Sequence, residues 1–268
     1  MYCFVIFAAC AVMPLMAQKI IIRPSGPAPV TETNSFALQS GGKLRVSNPN
    51  GNIKVSVWDK DEVALTANFK ASGDGKQALI KAKNKKNTLE LTAKYPKKKV
   101  WKLTKRVINR ASCDLELMLP HRVACNISST NGSIVLNATD GQNKVDTKNG
   151  AVALNGTVGN NRVKTTNGDI SLNDINGSVD IFSPNGSING ILQNIEKLKV
   201  LTHTGSIRVK LLNLNCAIKA SASSGDVTLH PSGAKSFEYE KGKTIRATFG
   251  NGNASIDLKT FAGSIVID

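Results

Sequence analysis

The sequence VDTKNGAVAL (residues 145–154) returns 18 residues later as VKTTNGDISL (residues 163–172). Both copies place an aliphatic residue five positions before a glycine and two more at positions two and four after it. Apolar residues that alternate with a period of two are typical of strands that bury one face. A unit that returns at a constant interval therefore predicts a repeat architecture in which strands meet at the glycine.

Further copies of this unit occur from residue 46 to the last residue. From residue 132 to residue 225 their glycines are 18 to 20 residues apart. We interpret the final interval of 38 residues as two periods with a hairpin-like insert around residues 250–252. An Asn-Gly pair tolerates the positive φ of a tight corner. The predicted repeat corners are Gly51, Gly132, Gly150, Gly168, Gly186, Gly205, Gly225 and Gly263.

Two architectures explain this pattern. In a β-solenoid each copy is one coil, and equivalent residues stack about 4.8 Å apart. In the alternative, each Asn-Gly pair forms the turn of a separate hairpin. Identical residues at fixed places, such as Asn137 and Asn155, favour stacked coils, because separate hairpins do not need side-chain ladders. We therefore predict an all-β fold: a single-stranded parallel β-solenoid (β-helix) with coils of about 18 residues and an irregular N-terminal β cap.

The chain divides into three predicted segments. Residues 1–17 are nearly all apolar and end in a small residue, which is typical of a signal peptide and predicts export to the periplasm, the cell surface or the medium. Residues 18–42 are rich in Pro, Gly and Thr and predict a lead-in or linker. Residues 43–268 are predicted as one solenoid, with irregular basic coils over 43–120 and regular repeats over 121–268. Because the last residues end inside a strand pattern, we expect a bare coil edge there, open to self-association.

Positive charge is concentrated in the N-terminal third. The chain has 35 basic and 19 acidic residues, a net charge of +16, and most of the excess falls between Lys70 and Arg110. Such a cluster attracts anionic glycans or lipid headgroups, although it can also protect an edge strand from pairing. Export argues against nucleic acid as the partner. The candidate residues for binding an anionic surface are Lys81, Lys83, Lys85, Lys86, Lys97, Lys98, Lys99, Lys102, Lys105 and Arg106.

The sequence offers no recognisable chemistry. Asp169 and Asp226 occupy equivalent positions, but in coils too far apart to act as a general acid and base. No phosphate loop, dinucleotide fingerprint or metal-ligand spacing is present. We therefore expect no catalytic residue, no metal site, no cofactor and no enzymatic activity. A polysaccharide-active β-helix enzyme and a purely structural envelope-stress component are the alternatives.

The mature chain would keep three cysteines, Cys113, Cys125 and Cys216. They lack the spacing of a zinc site or of a fully paired disulfide framework. We interpret them as small apolar core residues. A single bridge between Cys113 and Cys125 is the alternative in an oxidising compartment.

One known family combines these features. The run LELMLP (residues 115–120), the repeated T-x-N-G-[SD]-[IV] unit and the ending around GNG (residues 250–252) resemble the bacterial putative-adhesin domain family of unknown function, over about residues 43–268. Its members are similar in shape to autotransporter head domains. The resemblance implies a β-solenoid, usually right-handed, on an exported protein without an established activity, and it carries over no catalytic residue.

Overall fold

The structure is a computed structural model that describes residues 18–72, 75–96, 111–240 and 243–268. Every regular element in these ranges is a β-strand, and no helix in them is long and apolar enough to cross a bilayer. The predicted signal peptide, residues 1–17, lies outside the described residues. The strands are β1 (Gln18–Ile22), β2 (Val30–Ala37), β3 (Lys43–Asn50), β4 (Ile53–Val57), β5 (Glu62–Lys70), β6 (Leu79–Lys85), β7 (Thr88–Lys94), β8 (Ser112–Leu119), β9 (Ala124–Asn131), β10 (Ile134–Asn137), β11 (Asp140–Asn149), β12 (Val152–Asn155), β13 (Val158–Asn167), β14 (Ile170–Asn185), β15 (Ile188–Thr204), β16 (Ile207–Leu211), β17 (Cys216–Ser224), β18 (Val227–Leu229), β19 (Ser236–Glu240), β20 (Thr244–Thr248), β21 (Ala254–Ala262) and β22 (Ile265–Ile267).

Two sheets enclose the core, and each regular coil gives one strand to each sheet. The first sheet holds, in spatial order, β1, β6, β7, β3, β9, β11, β13, the second parts of β14 and β15, β21, β17, β20 and β19. The second sheet holds β2, β5, β8, β4, β10, β12, the first parts of β14 and β15, β16, β22 and β18.

The regular coils stack in parallel, with equivalent residues side by side. Val145 pairs with Val163, and Val163 pairs with Ile181. All three side chains are buried, so the aliphatic column continues from coil to coil. The predicted stacking of these residues is confirmed, and the alternative of separate Asn-Gly hairpins is wrong for these repeats.

The corner glycines are required because adjacent coils approach closely there. A Cβ atom on Gly168 would lie 2.1 Å from the carbonyl oxygen of Gly150, and a Cβ atom at any other predicted corner would lie 2.0 to 2.3 Å from a carbonyl oxygen of the neighbouring coil. Neither Gly150 nor Gly168 has a φ in the left-handed region. The predicted reason, a positive φ, is therefore wrong at these two corners, where the neighbouring backbone leaves no space for a side chain.

Polar side chains form hydrogen-bonded columns beside these corners. On the inside, the Thr165 hydroxyl donates to the carbonyl oxygen of Gly150 at 3.4 Å. On the outside, the side-chain amide of Asn149 donates to that of Asn131 at 3.0 Å, and Asn167 donates to Asn149 at 2.9 Å. Stacked identical amides thus satisfy one another at the coil spacing.

An antiparallel cap forms the N-terminal end. β1 pairs with β6, β6 with β7, β2 with β5 and β5 with β8, all antiparallel. Fully buried Leu65, Phe69 and Ile80 belong to the core of this cap. Residues 18–42, predicted as a lead-in or linker, contain two strands that are integral to the sheets.

Near the C-terminus the coils are not stacked in chain order. β21 lies between β15 and β17, and β22 lies between β16 and β18. The last residues therefore form the penultimate coil, and β17 and β18 form the outermost one, with the β19–β20 hairpin beyond β17. The prediction of a bare coil edge at Ser264–Asp268 is wrong, because Ile265 pairs with both Ile207 and Val227.

The predicted fold class is correct in outline. The chain is all-β and solenoid-like, and its middle coils stack as expected. It is not a single-stranded parallel coil throughout, since antiparallel strands occur at both ends. The glycine repeat therefore predicts the parallel stacking of the coils that contain it, but not the antiparallel strands at the two ends.

Cys113, Cys125 and Cys216 are free and buried, as expected for core residues, and no Cys113–Cys125 bridge is present. Burial, helped by the charge of Asp140, raises the pKa of the Cys125 thiol to about 12. Removal from water, with a lesser contribution from the charge of Asp114, raises the pKa of Cys113 to about 12, and removal from water also raises the pKa of Cys216. These thiols therefore remain protonated in the folded chain at neutral pH.

We expect the Cys125 thiol to make stability depend on pH in alkaline solution. Its folded pKa lies above the ordinary value of 9.0, so its contribution is complete below about pH 9 and is lost as the pH rises towards 12. The free energy of unfolding in urea should fall by up to about 1.4 kcal/mol per pH unit from this group. Comparison with Cys125→Ala isolates the effect from other titrating residues, and equal slopes for the two proteins above pH 9 would contradict it.

Candidate functional site

Four of the candidate lysines lie together at the N-terminal end of the first sheet. Lys81, Lys83 and Lys85 alternate with inward residues along β6, and their side chains are exposed. Lys86 is exposed in the turn between β6 and β7. The remaining candidates, Lys97, Lys98, Lys99, Lys102, Lys105 and Arg106, lie outside the described residues.

The structure extends this lysine cluster along the outside of the first sheet. We define the basic face as the outward side of β1, β6, β7, β3, β9, β11 and β13. Its carboxylates are Glu90, Asp140 and Asp146. Its more numerous basic residues are Lys19, Lys43, Arg45, Lys81, Lys83, Lys85, Lys94, Lys144, Lys148, Arg162 and Lys164.

The second sheet has a different outer surface. Its outward residues in the regular coils of β4, β10, β12 and the first parts of β14 and β15 are mainly Asn, Ser and Ala, with Lys54 as the charged residue. The buried core separates the two surfaces. Positive charge in these coils is therefore segregated to one side of the molecule.

A shallow trough of about 340 Å³ crosses the basic face at β9. β9 presents the short side chains of Ala124 and Asn126, whereas the neighbouring strands present long ones. The cationic residues that line the trough are Lys43, Arg45, Lys144 and Arg162. Four basic groups around a depression attract anionic groups, which makes the trough a candidate site.

The charges in this trough are only partly neutralised. Arg45 Nη1 lies 2.9 Å from Glu90 Oε1, and Arg162 Nε lies 3.7 Å from Asp180 Oδ2, both at the surface. Lys144 makes no ion pair with any carboxylate of the described residues, and it stands directly beside Arg162 in the parallel register. Like charges at paired positions destabilise a sheet. An anion bound between Lys144 and Arg162 would relieve this repulsion.

Sequence reasoning missed the residues of the trough because they are isolated along the chain. Arg45 is separated from Lys144 by the whole cap, and β9 returns to stack on β3. The repeat alignment did contain a signal, since Arg45, Lys144 and Arg162 each lie six residues before a corner glycine. Stacking makes such a column contiguous in space.

The structure does not bring the acidic residues together. Asp169 accepts a hydrogen bond from the backbone N–H of Ser187 at 2.8 Å, whereas Asp226 lies in the outermost coil. Within residues 18–72, 75–96, 111–240 and 243–268, no three His, Cys, Asp or Glu side chains converge to hold a metal ion.

Three solved structures are similar to this chain. A "putative cell adhesion protein" from Clostridium sporogenes is 14% identical, with 94% of this chain and 99% of that chain covered and a TM-score of 0.34. A "putative adhesin" from Bacteroides fragilis is 13% identical, with coverage of 90% and 99% and a TM-score of 0.44. A "putative lipid binding protein" from Parabacteroides distasonis is 9% identical, with coverage of 91% and 98% and a TM-score of 0.29. No curated protein matches the chain.

The family is identified by sequence. The profile described as Toastrack DUF4097 matches residues 39–268, which includes the whole of the repeat. The resemblance to an adhesin-like family of unknown function is confirmed at this level, while the detailed repeat motif stays a prediction. The chain belongs to the Toastrack DUF4097 family.

Proposed function

We propose that this protein is an exported, non-enzymatic interaction module whose basic face binds anionic glycan or lipid surfaces. The observation that supports the proposal is the segregation of charge in the regular coils, where the outer surface of the first sheet from β3 to β13 is cationic and that of the second sheet from β4 to the first part of β15 has Lys54 as its basic residue. A flat array of like charges binds a polyanion through many weak contacts and needs no deep pocket. The proposal takes residues 1–17 as a cleaved signal peptide and residues 43–268 as one right-handed solenoid domain.

The trough supplies the centre of the proposed binding surface. Lys144 and Arg162 repel each other in the free protein, so an anion gains attraction from both and removes that repulsion. Binding to exposed charges is screened by salt. Retention on an anionic surface should therefore fall as the ionic strength rises.

The test reverses charge on one sheet at a time. We expect Lys144→Glu with Arg162→Glu to weaken binding by about 30-fold or more, since each basic residue near an anionic membrane contributes about 1 kcal/mol. The matched control, Arg208→Glu with Lys210→Glu, makes the same change in net charge on exposed residues of β16 in the second sheet. Binding is measured at two salt concentrations to vesicles of phosphatidylglycerol and phosphatidylcholine, and to immobilised alginate.

The two probes separate the two kinds of surface. Retention on alginate without vesicle binding assigns the face to glycans, and the reverse assigns it to lipid headgroups. Equal losses in both double variants would mean that net charge, and not this face, governs binding. A wild-type protein that binds neither probe at low salt would overturn the proposal in favour of a purely structural component.

A further inference from the structure

Both ends of the first sheet present an edge strand. Among the described residues, β1 pairs only with β6, and β19 pairs only with β20. β1 is antiparallel to β6, which is antiparallel to β7, and β7 is parallel to the central coils. In the same way, β19 is antiparallel to β20, which is antiparallel to β17, and β17 is parallel to the central coils. The two edges therefore run in the same direction as each other and as the coils between them. A strand edge of this kind is a template for pairing with another chain.

Apolar side chains continue the core up to these edges. On β19, Phe237 and Tyr239 are 57% and 56% exposed. They lie on the core side of the sheet, because Phe237 pairs with Ala247 and Tyr239 with Ile245, and both partners are buried. At the opposite end Ile20 is only partly buried on the core side of β1. At each end, the apolar side chains on the core side of the edge strand thus have no neighbouring strand to cover them among the described residues.

The strand register connects the two ends residue by residue. An outward column follows successive cross-strand pairs through Lys19, Lys83, Glu90, Arg45, Asn126, Lys144, Arg162, Asp180, Lys199, Asp257, Lys219, Arg246 and Glu238. The adjacent inward column begins at Ile20 and ends at Tyr239. A second copy stacked in the same register would place Lys19 next to Glu238 and Ile20 next to Tyr239.

The charges at the two ends are complementary. Lys19 stands beside Lys83 at the N-terminal edge, and Glu238 makes no ion pair with any described residue at the C-terminal edge. Pairing two β19 edges would instead bring the acidic residues of both copies together. Pairing two β1 edges would likewise bring lysines together. Unlike ends therefore attract and like ends repel.

The second sheet does not offer the same edge at the N-terminal end. Glu32 lies on the inward side of β2 and accepts a hydrogen bond from the backbone N–H of Ser25 at 2.7 Å. An inward-facing charged residue protects an edge strand from pairing. The contact between copies is thus confined to the first sheet.

We propose that copies of this chain associate head to tail, with β19 of one copy pairing in parallel with β1 of the next. Glu238 then faces Lys19, and Tyr239 packs on Ile20. Because the two surfaces differ, the contact is heterologous and leaves a free edge at each end of the assembly. Successive copies extend the first sheet, so their basic faces lie on the same side.

The test is a charge swap read by analytical ultracentrifugation of the purified protein. We expect concentration-dependent association of the wild type and, for Lys19→Glu or Glu238→Lys alone, association weaker by about tenfold or more. The double variant Lys19→Glu with Glu238→Lys should recover association. Lys54→Glu, an exposed lysine on β4 of the second sheet, should leave it unchanged.

Cross-linking checks the pairing directly. A mixture of Lys19→Cys and Glu238→Cys proteins should form disulfide-linked dimers under mild oxidation, whereas either protein alone should not. A wild type that stays monomeric at its highest soluble concentration would overturn the proposal. So would single charge reversals that leave association unchanged, or dimers formed by Glu238→Cys alone. None of these readouts depends on an anionic ligand, so this proposal and the proposed function can fail separately.

Discussion

Gly168→Ala is expected to destabilise the protein severely, although it adds a single methyl group. The new Cβ atom would lie 2.1 Å from the carbonyl oxygen of Gly150, which is backbone and cannot rotate away. The two coils would have to separate at the corner, stretching the hydrogen bond from the Gly150 N–H to the Asn167 carbonyl oxygen. We expect a loss of about 3 kcal/mol or more. Thermal unfolding should show a fall in Tm of about 6–12 °C.

Gly190→Ala is the matched control. Gly190 is also buried in a strand, but a Cβ atom there would lie 3.5 Å from the nearest atoms, those of Leu172, in ordinary contact. Its φ is not in the left-handed region. This variant should be as stable as the wild type or slightly more so, because alanine restricts the unfolded chain. Equal melting temperatures for the two variants would show that the corner can open without cost.

Ending the chain after Asn253 is expected to unfold the C-terminal coils. The truncation removes β21 and β22, which lie inside the stack and are not its last coil. β18 then loses its pairing partner, and β17 keeps only the hairpin strand β20. We expect limited proteolysis to cut within residues 212–253 while the coils from β9 to β14 stay protected, since stacked repeats depend mainly on their neighbours.

A point variant tests the same placement without removing residues. Leu258 is fully buried in β21, and Leu258→Ala should cost about 2–5 kcal/mol. Leu214→Ala is its control, because Leu214 is 37% exposed in the loop before β17 and should change stability by less than about 1 kcal/mol. A truncated chain with the wild-type proteolysis pattern would contradict the observed coil order.

The regular coils could be predicted from sequence because their constraints are local and repeated. Each copy contains the glycine that marks its own corner, and the aliphatic positions around Gly150 and Gly168 indicate which side of the strand is buried. Stacking then follows from the identity of the copies. The reason for glycine could not be predicted, since the close approach of two backbones is not visible in either copy alone.

The two ends could not be predicted in the same way. The strands of the cap alternate like those of the repeats, and alternation alone does not distinguish a parallel neighbour from an antiparallel one. At the C-terminus, Gly225 and Gly263 carry the same pattern, so the sequence does not state which of the two coils stacks on the coil of Gly205. In the structure the coil of Gly263 stacks on the coil of Gly205.

The candidate site was predicted in part. Lys81 and Lys83 could be assigned to a solvent-facing side of a strand, because they alternate with apolar residues. The trough could not be predicted, because it requires β3 and β9 to be adjacent although the cap lies between them in sequence. Non-local pairing of this kind has no local signal.

The order of coils at the C-terminus also has a consequence for synthesis on the ribosome. β17 and β18 emerge before β21 and β22, which finally separate them from β15 and β16. During synthesis the coil of Gly225, made of β17 and β18, is available before β21 and β22. It can therefore compete with them for the exposed edges of β15 and β16. Correct stacking therefore requires that this coil either stays undocked until β21 and β22 have emerged or is released afterwards.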